Sequence, residues 1–63
     1  MDSYTATGIA EGSIESSDEA EIIEAWQYLI DTGLAWRLQG WFGRTAQRLI
    51  NAGVCAPAER AAA

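Results

Sequence analysis

The sequence predicts a mainly α-helical protein, in which an antiparallel two-helix hairpin follows an extended or weakly β N-terminal segment. Two runs of apolar residues at three- and four-residue spacing predict the two helices. A glycine follows each run, and a short glycine connection favours antiparallel packing. The expected layout is an extended or flexible segment over 1–16, the helical hairpin over 17–54 and a flexible tail over 55–63.

The N-terminal segment is rich in serine, threonine, glycine and alanine. The stretch from Tyr4 to Thr7 has the composition of a strand, and Gly8 and Gly12 interrupt any regular element. Two interpretations remain open. The segment is either a mobile tail or an extended segment or small hairpin. The latter could pair with its copy in another subunit, since an isolated two-stranded ribbon is marginal in water.

The first predicted helix has clear start and stop signals. Ser16 and Glu19 fit a capping box, with Asp18 as a further N-cap candidate, and acidic residues in the first turn complement the helix dipole. Gly33 is expected to end the helix in a left-handed conformation. The predicted core positions of this helix are Ile22, Trp26, Leu29 and Ile30.

The second predicted helix begins at Leu34, almost directly after the first. Gly53 is expected to terminate it, and Pro57 prevents its continuation. The predicted core positions of this helix are Leu34, Leu38, Phe42, Leu49 and Ile50.

Two glycines interrupt the second helix, at Gly40 and Gly43. Each costs about 1 kcal/mol relative to alanine inside a helix, so their presence beside bulky aromatic residues needs a reason. Close packing against a neighbouring element is the favoured explanation. A kink or a break into two shorter helices and a phosphate-binding turn with Arg44 are the alternatives, although the known phosphate loops have a longer spacing.

Length and composition predict one small domain that associates with other chains. A core built from 63 residues often needs a staple or a partner. One cysteine and no histidine exclude an internal disulfide and a His- or Cys-based zinc site, which leaves a homodimer or larger oligomer as the expected route to stability. No apolar stretch is long enough for a bilayer, and the first residues lack signal-peptide features. The expected location is the cytoplasm, where a lone thiol stays reduced, with no membrane partner.

The net charge of −5 conceals a division along the chain. Residues 1–33 carry eight carboxylates and no basic side chain, whereas residues 34–63 carry four arginines and one glutamate. The favoured interpretation is that the two halves face each other within one molecule. The alternative is an acidic surface offered to a basic partner, by steering or by nucleic-acid mimicry. The candidate acidic face consists of Glu19, Glu21 and Glu24.

The residue types present do not support catalysis or a cofactor. Cys55 has no histidine to activate it, so a small buried apolar role is expected. Asp31, Thr32 and Gly33 repeat the tripeptide of aspartic proteases, but here they end a helix. The glutamates predict a solvated face rather than a metal site, because no Asx-rich loop accompanies them. We therefore expect a protein that is not an enzyme and binds no metal or cofactor.

Aromatic residues and arginines indicate a surface for a protein partner, since both are enriched at binding hot spots. Tyr28 lies two residues after Trp26 and so points away from the apolar stripe, and Trp36 is displaced from the line of leucines. Direct nucleic-acid binding is disfavoured by the acidic balance of the chain. The candidate partner-binding residues are Tyr28, Trp36, Arg37, Trp41 and Arg44.

The block over 24–53 resembles a family of short proteins that tailed bacteriophages encode. These proteins have no assigned activity. The shared sequence motifs are A-W-Q-x-L-I-D-T-G over 25–33, W-x-L-Q-G-W-F-G-R over 36–44 and L-I-x-A-G over 49–53. This resemblance implies a phage accessory protein in the cytoplasm of an infected bacterium. The expected function is binding or inhibition of a host or phage protein. An acidic nucleic-acid mimic that occupies a basic groove and a structural subunit of a phage particle are the alternatives.

Overall fold

Helices account for all the regular structure in residues 1–16 and 18–58, which are the residues that the computed structural model describes. The elements are α1 (Ser3–Glu11), α2 (Glu19–Asp31), a short 3-10 turn (Leu34–Trp36) and α3 (Gly40–Asn51). This confirms the prediction of a mainly α protein. No helix in this part of the chain is long and apolar enough to cross a membrane.

The prediction of an extended or weakly β N-terminal segment is wrong, because the segment contains α1. Asp2 caps this helix by accepting a hydrogen bond of 2.8 Å from the Thr5 N–H. The same hydrogen bond lowers the pKa of the Asp2 carboxyl below its usual value. Ala6 and Ile9, which lie three residues apart, are buried against the rest of the protein. Tertiary packing of this one face outweighs a composition that favours helix only weakly.

Gly8 is part of α1 and does not interrupt it. A methyl group added at Gly8 would lie 2.5 Å from Cδ1 of Ile14, so the glycine makes room for the chain as it turns back toward α2. The Ile14 N–H also donates a hydrogen bond of 3.0 Å to the carbonyl oxygen of Gly8. The glycine that weakened the helix prediction therefore leaves space for the Ile14 side chain at this point.

The start of α2 differs in detail from the predicted capping box. Asp18 is the N-cap and accepts a hydrogen bond of 3.0 Å from the Ala20 N–H. The Ser16 hydroxyl instead donates a hydrogen bond of 2.6 Å to the Glu21 carboxylate. At the other end, Gly33 adopts a φ of +79°, which confirms the predicted left-handed termination.

The prediction of one continuous second helix from Leu34 is wrong, because this part of the chain forms two separate helical elements. The 3-10 turn comes first, and α3 begins only at Gly40 after Gln39 adopts an extended conformation. The low helix propensity of Gly40 is consistent with a boundary at this point. Because of this break, Trp36 lies outside the apolar face of the helix and packs beside α3. The candidate site described below depends on this position of Trp36.

The core contains four of the nine predicted core residues as buried side chains and the other five as partly buried ones. Leu29 and Ile30 are fully buried, and Trp26 and Phe42 are nearly so. The partly buried residues are Ile22, Leu34, Leu38, Leu49 and Ile50. The buried apolar residues outside the nine predicted core positions are Ala6, Ile9, Ala25, Ala35, Ala46 and Cys55, of which Cys55 was expected to be buried on its own account. Four of these six are alanines, whose small side chains let neighbouring elements approach closely.

Backbone contacts pair α1 closely with α2, and the 3-10 turn lies against both α2 and α3. The attachment of α3 to α2 is made by side chains. The Trp26 ring lies 6.0 Å from Phe42 and 6.3 Å from Trp41, measured between ring centroids. The close helix pair is thus α1 with α2, whereas the sequence predicted α2 with the following helix.

The segment after α3 is held on α2 by the Gln27 side chain. The Gln27 amide nitrogen donates to the Ala56 carbonyl oxygen at 2.9 Å, and the Ala56 N–H donates to the Gln27 amide oxygen at 2.8 Å. Cys55 is buried beside this pair, as expected for a small apolar residue. Burial, with a smaller effect of the Asp31 charge, raises the pKa of the Cys55 thiol. Of the predicted tail over 55–63, residues 59–63 lie outside the described residues.

Replacing Gln27 by alanine is expected to lower the free energy of unfolding by about 1 kcal/mol, because both hydrogen bonds to Ala56 are lost at a partly exposed site. Urea unfolding followed by circular dichroism measures the change. Gln47→Ala is the matched control, since among the described residues the Gln47 amide bonds locally, to Asn51 on the same helix. Equal effects of the two substitutions would show that the link to Ala56 contributes nothing to stability.

Candidate partner-binding surface

Trp36 is the most exposed tryptophan of the described residues, and its ring packs on Gly43. Its side chain is 48% exposed. A methyl group added at Gly43 would lie 3.2 Å from Cδ1 of Trp36 and 3.5 Å from the Ala35 carbonyl oxygen. Gly43 therefore lets the 3-10 turn lie directly on α3, which is the close packing that its position in the sequence suggested. Packing against the helix orders an indole that is nevertheless open to solvent.

Two shallow grooves lie on either side of Trp36. The larger, of about 530 Å³, runs toward the segment after α3. The smaller, of about 350 Å³, runs along the first turns of α3. Trp36 and Gln47 line both grooves and so form the ridge between them. The other residues of the larger groove are Ile30, Asp31, Gly33, Ile50, Pro57 and Ala58. Clefts beside an exposed aromatic ring are typical of sites that receive side chains from a partner.

Trp41 is also on the surface, but it is part of the aromatic cluster that holds α3. Its ring stacks on Phe42 with centroids 4.0 Å apart and an interplanar angle of 27°. It meets Trp26 edge-on, at an interplanar angle of 71°. At 36% exposure, Trp41 still offers an edge to solvent. Its role is therefore divided between the core and the surface, whereas Trp36 is more open.

The exposed side of α3 lies between these two tryptophans. Gly43, on which Trp36 rests, and Trp41 are two residues apart, which places them about 200° apart around the helix axis. Arg44 and Arg48 are four residues apart and lie on the side between them, together with Gln47, and all three are exposed. We name the surface made of Trp36, Trp41, Arg44, Gln47 and Arg48 the outer face of α3.

Arg44 lies back along the first turn of its own helix. A methyl group added at Gly40 would lie 3.1 Å from Nη1 of Arg44, so the absence of a side chain at Gly40 leaves room for the guanidinium. The group remains exposed, which keeps its planar donor array accessible to a carboxylate.

The structure brings together three of the five predicted partner-binding residues. Trp36, Trp41 and Arg44 belong to the outer face of α3. Arg37 is exposed and directly follows the 3-10 turn, next to Trp36 in the chain. Tyr28 lies elsewhere: it is half-buried on α2 and lines a shallow groove with Met1, Glu24, Gln27 and Asp31.

The predicted acidic residues Glu19, Glu21 and Glu24 are all exposed on α2. Glu21 and Glu24 lie three residues apart and share one side of the helix with Tyr28, whereas Glu19 lies on another side. No three Asp, Glu, Cys or His side chains come together as a metal site within residues 1–16 and 18–58.

The sequence reasoning missed several residues of this surface. Gln47 and Arg48 follow Arg44 at three and four positions, so a helical wheel could have placed them beside it. Pro57 and Ala58 carry no such signal, because only the return of the chain along α2 brings them to the Trp36 groove. The sequence marks Gly43 as an unusual glycine inside a helix, but it does not show that Trp36 packs on it. That contact depends on the break in the helix before α3, which the sequence offered only as an alternative.

Fold and surface together define a small helical protein with an ordered, exposed face of tryptophan and arginine. The chain belongs to the DUF7417 family, a domain of unknown function, whose model matches residues 11–62. The match begins at the last residue of α1, so nearly all of α1 lies outside it. No curated protein and no solved structure matches the chain.

Proposed function

We propose that this protein acts by binding another protein through the outer face of α3, without catalysis. The observation that carries the proposal is Trp36, an indole that is 48% exposed yet packed on Gly43 between two grooves. Because the ring packs on Gly43 on one side, binding costs less side-chain entropy than it would for a ring without that contact. Arg44, which lines the smaller groove with Trp36, and Arg48, four residues further along α3, supply charge and directional hydrogen bonds, and arginine is enriched at binding hot spots.

The resemblance of the block over 24–53 to bacteriophage proteins extends the proposal to its setting. The partner is then a host or phage protein, met in the cytoplasm of an infected bacterium, and binding inhibits or redirects that partner. A subunit of a phage particle is the version of this proposal in which the partner is a structural protein. Co-purification with particles distinguishes it from a free inhibitor.

Trp36→Ala is expected to weaken partner binding by about 2 kcal/mol or more, which corresponds to about thirtyfold in Kd. The tagged full chain is used to capture partners from a bacterial lysate, and each captured protein is purified and titrated against the variants by calorimetry. Tyr4→Ala is the matched control, because Tyr4 is 82% exposed on α1, outside the outer face of α3. Trp41→Ala is a poor test, since it also removes a ring that packs on Phe42.

A partner that binds Trp36→Ala and the wild type equally would remove the outer face of α3 from the proposal. Circular dichroism of both variants ensures that any loss of binding is not a loss of folding. A small stability change is expected for each, because Tyr4 is largely exposed and Trp36 is about half exposed.

The second candidate function is an acidic mimic of nucleic acid that occupies a basic groove. It is favoured by the exposure of Glu19, Glu21 and Glu24 and by the absence of basic side chains in residues 1–33. Binding of this kind is expected to fall steeply with salt and with Glu21→Gln and Glu24→Gln, and to tolerate Trp36→Ala. An aromatic contact should show the opposite pattern, so one set of titrations separates the two functions.

A further inference from the structure

The fold keeps the two signs of charge on different elements. Among the described residues, the part up to Gly33 contains eight carboxylates and no basic side chain. The part from Leu34 to Ala58 contains three arginines and no carboxylate. The hydrogen bonds found for carboxylates have neutral donors, such as the Ser16 hydroxyl to Glu21 and the Gln27 amide to Asp31. The acidic and basic side chains therefore lie on different elements, and Asp31 is the carboxylate that lines the larger groove beside Trp36.

The basic surface is the outer face of α3, where Arg44 and Arg48 are exposed between two tryptophans. The acidic surface includes a stripe on α2 formed by Glu21, Glu24 and Tyr28, at positions i, i+3 and i+7. At 1.5 Å per residue the stripe is about 10 Å long and the two arginines are about 6 Å apart, which long side chains can span. Carboxylates beside an aromatic ring form a chemical match for guanidinium groups.

We propose that the partner of the outer face of α3 is a second copy of this chain, bound through its Glu21–Glu24–Tyr28 stripe. This inference rests on the proposed function: it keeps the outer face of α3 as the binding surface and assigns that surface to a second copy in place of a host protein. Charge complementarity supports a second copy, since each chain carries both halves of the contact. A two-fold axis makes the contact twice, with α3 of each copy on α2 of the other. The net charge of −5 repels the copies at long range, so short-range pairing and burial of tryptophan must hold the dimer together.

The first experiment measures the mass of the full chain by sedimentation equilibrium up to about 1 mM, a range that captures even weak dimers. The double variant Arg44→Gln/Arg48→Gln is expected to dimerise at least about tenfold more weakly than the wild type. Ser3→Glu/Tyr4→Glu is the matched control, because it changes the net charge by the same amount at exposed positions of α1. The control is expected to dimerise as the wild type does, within about twofold.

The second experiment exchanges the charges between copies. Arg44→Glu/Arg48→Glu and Glu21→Arg/Glu24→Arg each set like charges against each other in both contacts of a homodimer, so each variant alone is expected to be monomeric. An equimolar mixture restores opposite charges in both contacts and is expected to give a 1:1 heterodimer. Circular dichroism verifies that each variant is folded. If one variant does not fold, the comparison of glutamine and control variants decides alone.

A wild type that stays monomeric throughout overturns the second copy as partner. A dimer that the arginine variant and the control affect equally also overturns it, as does a mixture of folded charge-exchanged variants that stays monomeric. These results leave the proposed function intact if another protein is captured in a Trp36-dependent manner. If Trp36→Ala leaves the binding of every captured partner unchanged while Arg44→Gln/Arg48→Gln weakens the dimer, the role of Trp36 is contradicted. The charge pairing between copies is then supported.

Discussion

Replacing Trp26 by alanine is expected to lower the free energy of unfolding by about 3–5 kcal/mol. A folded chain of 63 residues has a total stability of only about 3–9 kcal/mol, so this one change should remove about a third or more of it. The reason is position as well as size. Trp26 is 6% exposed, and its ring contacts both Phe42 and Trp41, which attach α3 to α2.

Urea unfolding monitored by circular dichroism at 222 nm and by the chemical-shift dispersion of amide protons measures this effect. Trp36→Ala is the matched control, because it removes the same side chain from a position that is 48% exposed. It is expected to change stability much less than Trp26→Ala. Similar losses from both variants would contradict the division of the tryptophans into a core residue and a surface residue.

The second large effect is expected at Ile9, where alanine should lower the free energy of unfolding by about 2–5 kcal/mol. Ile9 is only 7% exposed, and it extends the core from α1 onto the rest of the protein. A mobile or extended N-terminal segment would tolerate the same change without cost. The substitution therefore tests directly whether α1 is an integral part of the fold.

Tyr4→Ala is the control within the same helix, because Tyr4 is 82% exposed and its removal should change stability by less than about 0.5 kcal/mol. Hydrogen exchange adds an independent measurement, since the amides of Ala6 and Ile9 should be protected in the wild type. If the Ile9 variant is as stable as the Tyr4 variant, and the amides exchange rapidly in both, then α1 is not an integral part of the fold. The segment would then be mobile or extended, as the sequence alone suggests.

The small residues explain why the sequence predicted part of the fold and missed the rest. Trp26, Leu29, Ile30 and Phe42 stand out by size and spacing, and they are buried as predicted. Alanines such as Ala6 and Ala46 are buried as fully, yet alanine occurs on surfaces as well and gives no directional signal. Helix α1 rests on one such alanine, one isoleucine and a glycine, so only its contact with α2 identifies its buried face.

The candidate surface shows the same division. Composition indicated a partner-binding role for tryptophan and arginine, and spacing along one helix related Arg44 to its neighbours. Trp36 lies beside these residues only because the helix is interrupted after the 3-10 turn, so that the indole packs on Gly43. Tyr28, which shares the same residue chemistry, was separated from the group by its place on α2.

The sequence by itself determined the helical class, the left-handed termination at Gly33, the largest core side chains and the separation of charge between the two halves. These properties follow from local periodicity, backbone sterics and composition, which act over a few residues. The tertiary structure alone decided that residues 3–11 are helical, that α3 begins at Gly40, and which side of it is open to a partner. Those outcomes depend on contacts between distant segments, whose energies the local pattern does not contain.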